Sequence, residues 1–189
     1  MREAGRVVAQ AKAKVLGAIR PGITTSELDR VAAREIKRLG ADPSFKGLYG
    51  FPATICVSLN EQIVHGIPSD RRIRDGDLVS VDVGAIVGGF HSDSAFTVGV
   101  GEISEEAQRL VDATRESLRL GIAQATAGAH IGDISAAVQS YGERLGYGVV
   151  RQYVGHGIGR DLHEDPQVPN YGVKGRGPLL REGMALAIE

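Results

Sequence analysis

Tryptophan is absent from the sequence and cysteine occurs once, at Cys56. A single thiol excludes an internal disulfide framework and suits a reducing compartment. No stretch approaches the roughly 20 continuous apolar residues that a helical bilayer span requires. The first residues, MREAGRVVAQAKAKVLGAIR, mix charges with aliphatics at helical spacing and lack the apolar run of a secretory signal. Nor does one charge dominate. The 22 Lys+Arg stand against 23 Asp+Glu, a formal net charge of -1, which offers no field for nucleic acid or an anionic membrane. These absences lead to the expectation of a soluble, cytoplasmic protein with neither nucleic acid nor membrane as partner.

What the chain has in quantity is glycine, 26 residues in 189. The glycines sit between aliphatic segments, not in a polar tract, so they predict tight turns and closely approached strands and not disorder. Val7, Val8, Ala11, Val15 and Leu16 give a first helix its apolar stripe, ended by Pro21-Gly22. Thr24 or Thr25 caps a second helix running through Leu28, Val31, Ala32, Ile36 and Leu39 to Gly40. Phe51 to Leu59, Asp77 to Gly84 and Phe90 to Val98 are β-branched and alternating, and Gly88-Gly89 marks a hairpin between the last two.

Helical spacing returns at Glu105 to Ala123 and at Ile131 to Leu145. A glycine-rich strand-and-turn region, GVVRQYVGHGIGR, and a strand-like MALAIE follow. The order is thus helix, helix, strands, twice over. An offset of 106 lays Gly22 on Gly128, Leu28 on Ile134 and Arg38-Leu39-Gly40 on Arg144-Leu145-Gly146. The chain is therefore read as one catalytic domain over 1–189 made of pseudo-repeat halves, 1–99 and 100–189. Halves of this kind pack about a pseudo-twofold axis and leave a cleft where their sheets meet.

Asp82 and Asp93 interrupt otherwise apolar or small-residue strands, VSVDVGAIV and GFHSDSAFTV. If the turn centres on Val87-Gly88, the two fall directly opposite each other, with Val79 facing Phe96 and Val81 facing Ser94 on the other side of the sheet. Like charges so placed repel unless something offsets them. No nearby Lys or Arg is placed to do so on this reading, and a divalent ion held by oxygen ligands is the economical answer. A solvated strand face and a carboxylate dyad sharing one proton stand as the alternatives.

His65, His156 and His163 lie in polar or glycine-rich contexts, NEQIVHGIP and YVGHGIGRDLHEDP. Gly155 and Gly157 flank His156, so neighbouring side chains cannot crowd its imidazole, as a ligand or substrate contact requires. His91 alternates onto the face of Asp93 as a supporting candidate, and His130, at a helix start, reads as structural. Glu189 ends an aliphatic strand, where a carboxylate is costly unless paired or coordinated.

Taken together, MREAG, PGITTSELD, SLNEQIVHGIP, DGDLVSVDVGAIVGGFHSDSAFTVG, YVGHGIGRDLHEDPQVPNY and GMALAIE resemble, in order and over nearly the whole chain, the type I methionine aminopeptidases of the creatinase/prolidase "pita-bread" superfamily. The resemblance implies an α+β fold: two pseudo-twofold-related helix-helix-strand halves around a curved, mainly antiparallel sheet. It implies a metalloaminopeptidase, a monomer that removes the N-terminal methionine from nascent proteins, near the ribosome. The runners-up are a prolidase- or aminopeptidase P-like exopeptidase and a non-catalytic pita-bread protein that only binds peptides.

By the same resemblance Asp82, Asp93, His156 and Glu189 match metal ligands for two divalent ions, of cobalt, manganese, iron or zinc. Asp93 would bridge the ions, and a water between them would attack the methionyl carbonyl. His65 and His163 match catalytic positions that contact the substrate, and Glu189 also matches the general base. Phe51, Cys56, His65 and Leu162 match the substrate pocket. The family's fifth ligand, a second glutamate on a later strand, is expected beyond Glu189, and a short helical segment is expected before Met1. The chain is accordingly read as incomplete at both ends, with the activity of the 189-residue form itself in question.

Overall fold

Val7, Val8, Ala11 and Val15 fall on one side of a helix, and in the computed structural model, which describes residues 1–189, they are the buried side of α1 (Arg2–Ala18). The second helix, α2 (Thr25–Arg38), begins with a reciprocal cap. The Glu27 amide donates to Thr24 Oγ1 at 3.2 Å, and the Thr24 amide donates to the Glu27 carboxylate at 2.8 Å, so two of the helix's orphan donors are satisfied locally. Leu28, Ala32 and Ile36 bury the helix against the core.

The chain then builds a four-stranded antiparallel sheet from β1 (Asp42–Pro43), β2 (Ile55–Leu59), β3 (Leu78–Val87) and β4 (Phe90–Gly99). β1 and β2 pair along β3, and β4 returns beside it through a hairpin. Val79, Val81, Val83 and Ala85 of β3 lie on one face and, with Ile55, Val57 and Leu59, meet both helices in a single core. Each of the valine, isoleucine and leucine side chains contributes about 1.5–3 kcal/mol on burial. Phe51 stands before β2, after a short 3-10 turn at Leu48–Gly50, so the strand predicted from Phe51 begins at Ile55.

The hairpin register differs from the expected one. Val87 pairs with Phe90, leaving Gly88 and Gly89 as the two-residue loop, with φ of 58° and 75°. Both central residues of such a turn need positive φ, which glycine supplies without strain. The turn therefore centres between the glycines. Asp82 faces Ala95 and Asp93 faces Gly84, and in the core Val79 faces Val98 and Val81 faces Phe96. Because the displacement is two residues, every side chain keeps its face.

Residues Met1–Gln108 form one compact unit and Arg109–Glu189 a second. The second holds most of α3 (Glu105–Gln124), all of α4 (Ile131–Arg144), and the strands β5 (Gly155–Gly157), β6 (Glu164–Val168) and β7 (Leu186–Ala187) in the order β6-β5-β7, antiparallel throughout. Its core is small: Ile131, Ile134, Val168 and Leu180, joined by Ala129, Leu186 and Ile188. In the strand-and-turn region at 148–160 the strand is confined to Gly155–Gly157, and the strand expected at 184–189 shrinks to Leu186–Ala187. Helices and open antiparallel sheets give the α+β plan. No helix is long and apolar enough to cross a membrane.

Candidate functional site

The two aspartates lie on one face of the first unit's sheet, as diagonal and not direct neighbours. Diagonal positions across an antiparallel pair sit about 7–8 Å apart at Cα, which eases the repulsion inferred from direct opposition. Their surroundings are small. Asp82 lies between Cys56 on β2 and Ala95 on β4, and Asp93 faces Gly84, where a Cβ would come within 2.6 Å of the Phe45 ring. Both carboxylates are half-buried.

One cation stands behind this sheet, on the helix-covered face opposite the two aspartates. Lys12, on α1, donates from Nζ to Ser94 Oγ at 2.6 Å and to the Ala95 carbonyl at 3.1 Å. It was missed because a lysine among alanines and valines reads as the rim of an apolar stripe. The available signal was its spacing, four residues after Val8 and three before Val15.

Cys56 is buried, and burial, followed by the charges of Asp82, Asp93 and Asp29, pushes its thiol up to about 12. It is a neutral wall and not a nucleophile. Asp29, which sequence reasoning passed over, reaches from α2 to accept from the amides of Thr54 at 2.7 Å and Ile55 at 3.0 Å, which fixes the start of β2. His91 Nδ1 lies 3.0 Å from Ser44 Oγ and so is tied to the loop beyond β1.

His65 is exposed at φ 58°, in the left-handed region, where a non-glycine residue costs of order 1–3 kcal/mol and functional positions concentrate. The next residue holds it there. Gly66 is laid on β2: the Val57 amide donates to the Gly66 carbonyl at 2.9 Å, and the Gly66 amide donates to Ser58 Oγ at 3.1 Å.

In the second unit His156 is 6% exposed on β5. Its Nδ1 donates to the Gly157 carbonyl at 2.8 Å, which leaves Nε2 directed at Glu189 Oε1, 3.1 Å away. A ring nitrogen so aimed is a metal-ligand geometry with its tautomer already chosen. The flanking glycines have a more specific cause than room for the imidazole. A Cβ at Gly155 would lie 2.3 Å from the Ala187 carbonyl oxygen, and one at Gly157 would lie 2.3 Å from that of Asp165. Neighbouring backbones therefore press on both sides of the histidine. His163, exposed, stacks edge-on to His156 with ring centroids 4.5 Å apart, and the adjacent Leu162 is buried.

Within the second unit a Glu189 carboxylate oxygen and the directed His156 Nε2 are donors that fit a borderline divalent ion. A separate cleft of about 780 Å³ in the second unit, lined by Ile131, Pro166, Tyr171 and Met184 among others, contains none of the predicted site residues.

Comparison with known proteins agrees with this chemistry. The sequence profile of metallopeptidase family M24 matches residues 1–189. The chain is 53% identical to methionine aminopeptidase 1 of Bacillus subtilis over 189 residues, covering 100% of this chain and 76% of that protein. The crystal structure of methionine aminopeptidase from Thermotoga maritima superposes with a TM-score of 0.97 at 46% identity, again over 100% of this chain and 76% of the other. Prolidase from Pyrococcus furiosus shares the fold at a TM-score of 0.87, but at 25% identity and over 98% of this chain and 53% of its own. The aspartate strands, the directed histidine and these likenesses converge: the chain belongs to metallopeptidase family M24 and, within it, to the methionine aminopeptidases.

Proposed function

We propose that the chain acts as a metalloaminopeptidase on the N-terminal methionine of nascent proteins and peptides, with Asp82, Asp93, His156 and Glu189 as ligands of two divalent ions. The observation that carries this reading is the pinned imidazole: His156 gives Nδ1 to the Gly157 carbonyl and presents Nε2 beside the Glu189 carboxylate. When bound, ions of the manganese, iron, cobalt or zinc kind polarise a scissile carbonyl and make water acidic enough to attack it near neutral pH.

The chain's own residues supply the remainder. The Glu189 carboxylate accepts the proton from the attacking water and returns it to the leaving amine. His163, held edge-on against His156, donates a hydrogen bond to the oxygen on which charge develops. His65 meets the substrate near its amino end. Phe51, Cys56 and Leu162 take the methionine side chain, and a neutral Cys56 thiol suits a thioether neighbour. An apolar pocket discriminates by only about 1–3 kcal/mol per methylene, so rejection of smaller first residues is graded.

The wider reading is a cytoplasmic monomer working near the ribosome. It draws support from the lone buried thiol and the near-neutral charge. The paired-halves reading draws support from matching hydrogen bonds inside each unit. Gly22 donates to Ile73 as Gly128 donates to Leu180, and Glu27 caps Thr24 as Asp133 caps His130.

The test is metal-dependent release of methionine from Met-Gly-Met. It is run on the chain alone and on the chain joined to whatever part of the Bacillus protein follows the matched region, with a Xaa-Pro dipeptide as the counter-substrate. Methionine release in either form, abolished by Asp93→Ala, is expected. Cleavage of the Xaa-Pro dipeptide alone, or of neither substrate by folded protein, overturns the reading.

A further inference from the structure

His163 is itself exposed, yet its ring meets that of His156 edge-on, with centroids 4.5 Å apart. An exposed side chain on a turn keeps one place only if the backbone beneath it is fixed. The turn that carries it, residues 158–163, runs from β5 to β6, and both of its ends are tied down. The Ile158 amide donates to the Ala185 carbonyl at 3.1 Å, and Ile158 and Leu162 are 7% and 5% exposed. Glu164, the first residue of β6, pairs with Gly157 across the irregular register beside His156.

The middle of the turn is held by Glu164. Its carboxylate folds back, and Oε1 accepts from the Asp161 amide at 3.0 Å. The Gly159 amide in turn donates to the Asp161 carbonyl at 3.1 Å. An ionised carboxylate makes a stronger bond to an amide than a neutral oxygen does. Gly159 supplies the space into which the carboxylate folds: a Cβ there would lie 2.7 Å from Glu164 Oε1 and 2.8 Å from Oε2. The backbone at Gly159 is not in the positive-φ region, so the carboxylate, and not the chain conformation, calls for a missing side chain.

We propose that Glu164 is a positioning residue: it fixes the 159–161 turn from one residue past His163 and so holds that imidazole against His156. The proposal rests on the reading of His163 as donor to the oxygen on which charge develops, and adds the group that sets its place. Two substitutions release the tie in different ways. Glu164→Ala removes the acceptor, whereas Gly159→Ala leaves Glu164 in the chain and pushes aside only the end of its flexible side chain. Glu164→Gln keeps an oxygen for the Asp161 amide.

The experiment compares these three variants with the unmodified protein. Proton NMR of the metal-free 189-residue chain reads the histidine ring protons, those of His163 being assigned by their loss in His163→Ala. Methionine release from Met-Gly-Met is measured on the same variants, in the chain alone and joined to the rest of the Bacillus protein. The ring-current shift of the His156–His163 stack is expected to collapse in Glu164→Ala and Gly159→Ala and to persist in Glu164→Gln. In the two disrupting variants kcat is expected to fall about ten- to hundredfold with KM within about twofold, as misplacement of a group acting on the transition state requires. In a His163→Ala background, Glu164→Ala is expected to cost less than about twofold more. Where Glu164→Ala does not fold, Gly159→Ala carries the test. Ring protons that keep their shifts in the disrupting variants overturn the proposal, as does a full further loss of kcat in the His163→Ala background. Displaced ring protons with no methionine release from any form uphold the placement of His163 by Glu164 and overturn the aminopeptidase reading alone.

Discussion

Gly66 and Val57 touch backbone to backbone: the Val57 amide donates to the Gly66 carbonyl at 2.9 Å, and a Cβ on Gly66 would lie 2.2 Å from the Val57 carbonyl oxygen. This contact lays the HGIP loop along the outer side of β2 and sets the left-handed backbone of His65 one residue earlier. Gly66→Ala is therefore expected to destabilise the protein by about 1–3 kcal/mol through overpacking against backbone that cannot give way. Urea denaturation measures the loss. Methionine release at saturating metal is expected to fall further than stability alone explains, since His65 is displaced with the loop.

Asp29 joins α2 to β2 through a single carboxylate oxygen that serves two amides, those of Thr54 and Ile55, on residues 3% and 0% exposed. Asp29→Ala leaves both donors unsatisfied in a site water does not enter, at a cost of about 1–3 kcal/mol. Asp29→Asn keeps one acceptor oxygen and is expected to lose less. A matched pair of chemical denaturation curves decides the order. Equal losses would show that the charge, and not the acceptor, holds the strand.

The Cys56 thiol, raised from 9.0 to about 12 by burial and three carboxylates, stays protonated in the folded protein well past the point where an unfolded cysteine ionises. Between those two values the folded state binds more protons than the unfolded state. Stability from this group is thus complete below about pH 9 and declines as pH rises toward the folded value. Alkylation by iodoacetamide at pH 8–9 is expected to be slow in the native protein and fast in urea. Rapid native labelling would mean that the thiol is neither buried nor neutral.

A ligand that binds the folded state alone stabilises it by mass action, by about 2.7 kcal/mol at a hundredfold excess over its dissociation constant. Manganese or cobalt is expected to raise the melting temperature of the unmodified protein, and a chelator to reverse the rise. Asp93→Ala and His156→Ala are expected to abolish the metal-dependent part of the shift, whatever they do to the metal-free baseline. A full shift in both variants would remove these residues from the ligand set.

Several features of this protein follow from local rules that operate within a few residues, and these the sequence by itself determined. Thr24 followed by Glu27 starts α2, the spacing of Val7, Val8, Ala11 and Val15 selects the buried side of α1, and paired glycines at 88–89 make a hairpin. The alternation that puts Asp82 and Asp93 on one face is equally local and survives a two-residue change of register. His65, His156 and His163 stand out through their glycine-rich settings, and the ordered set of motifs shared with the M24 peptidases points to the family.

The tertiary structure decided the pairings, which depend on groups far apart in the chain. Whether the turn centred on Val87-Gly88 or on the two glycines depended on which residues could adopt positive φ together, and that choice made Asp93 the partner of Gly84 instead of Asp82. The glycines beside His156 answer to carbonyls at Asp165 and Ala187, and Gly66 answers to Val57. Lys12 meets β4 across more than eighty residues of chain. Side-chain pattern records which way a residue points, because the periods of helix and strand are intrinsic to the backbone. What it meets there is set only when separate elements pack, and no period in the sequence carries that information.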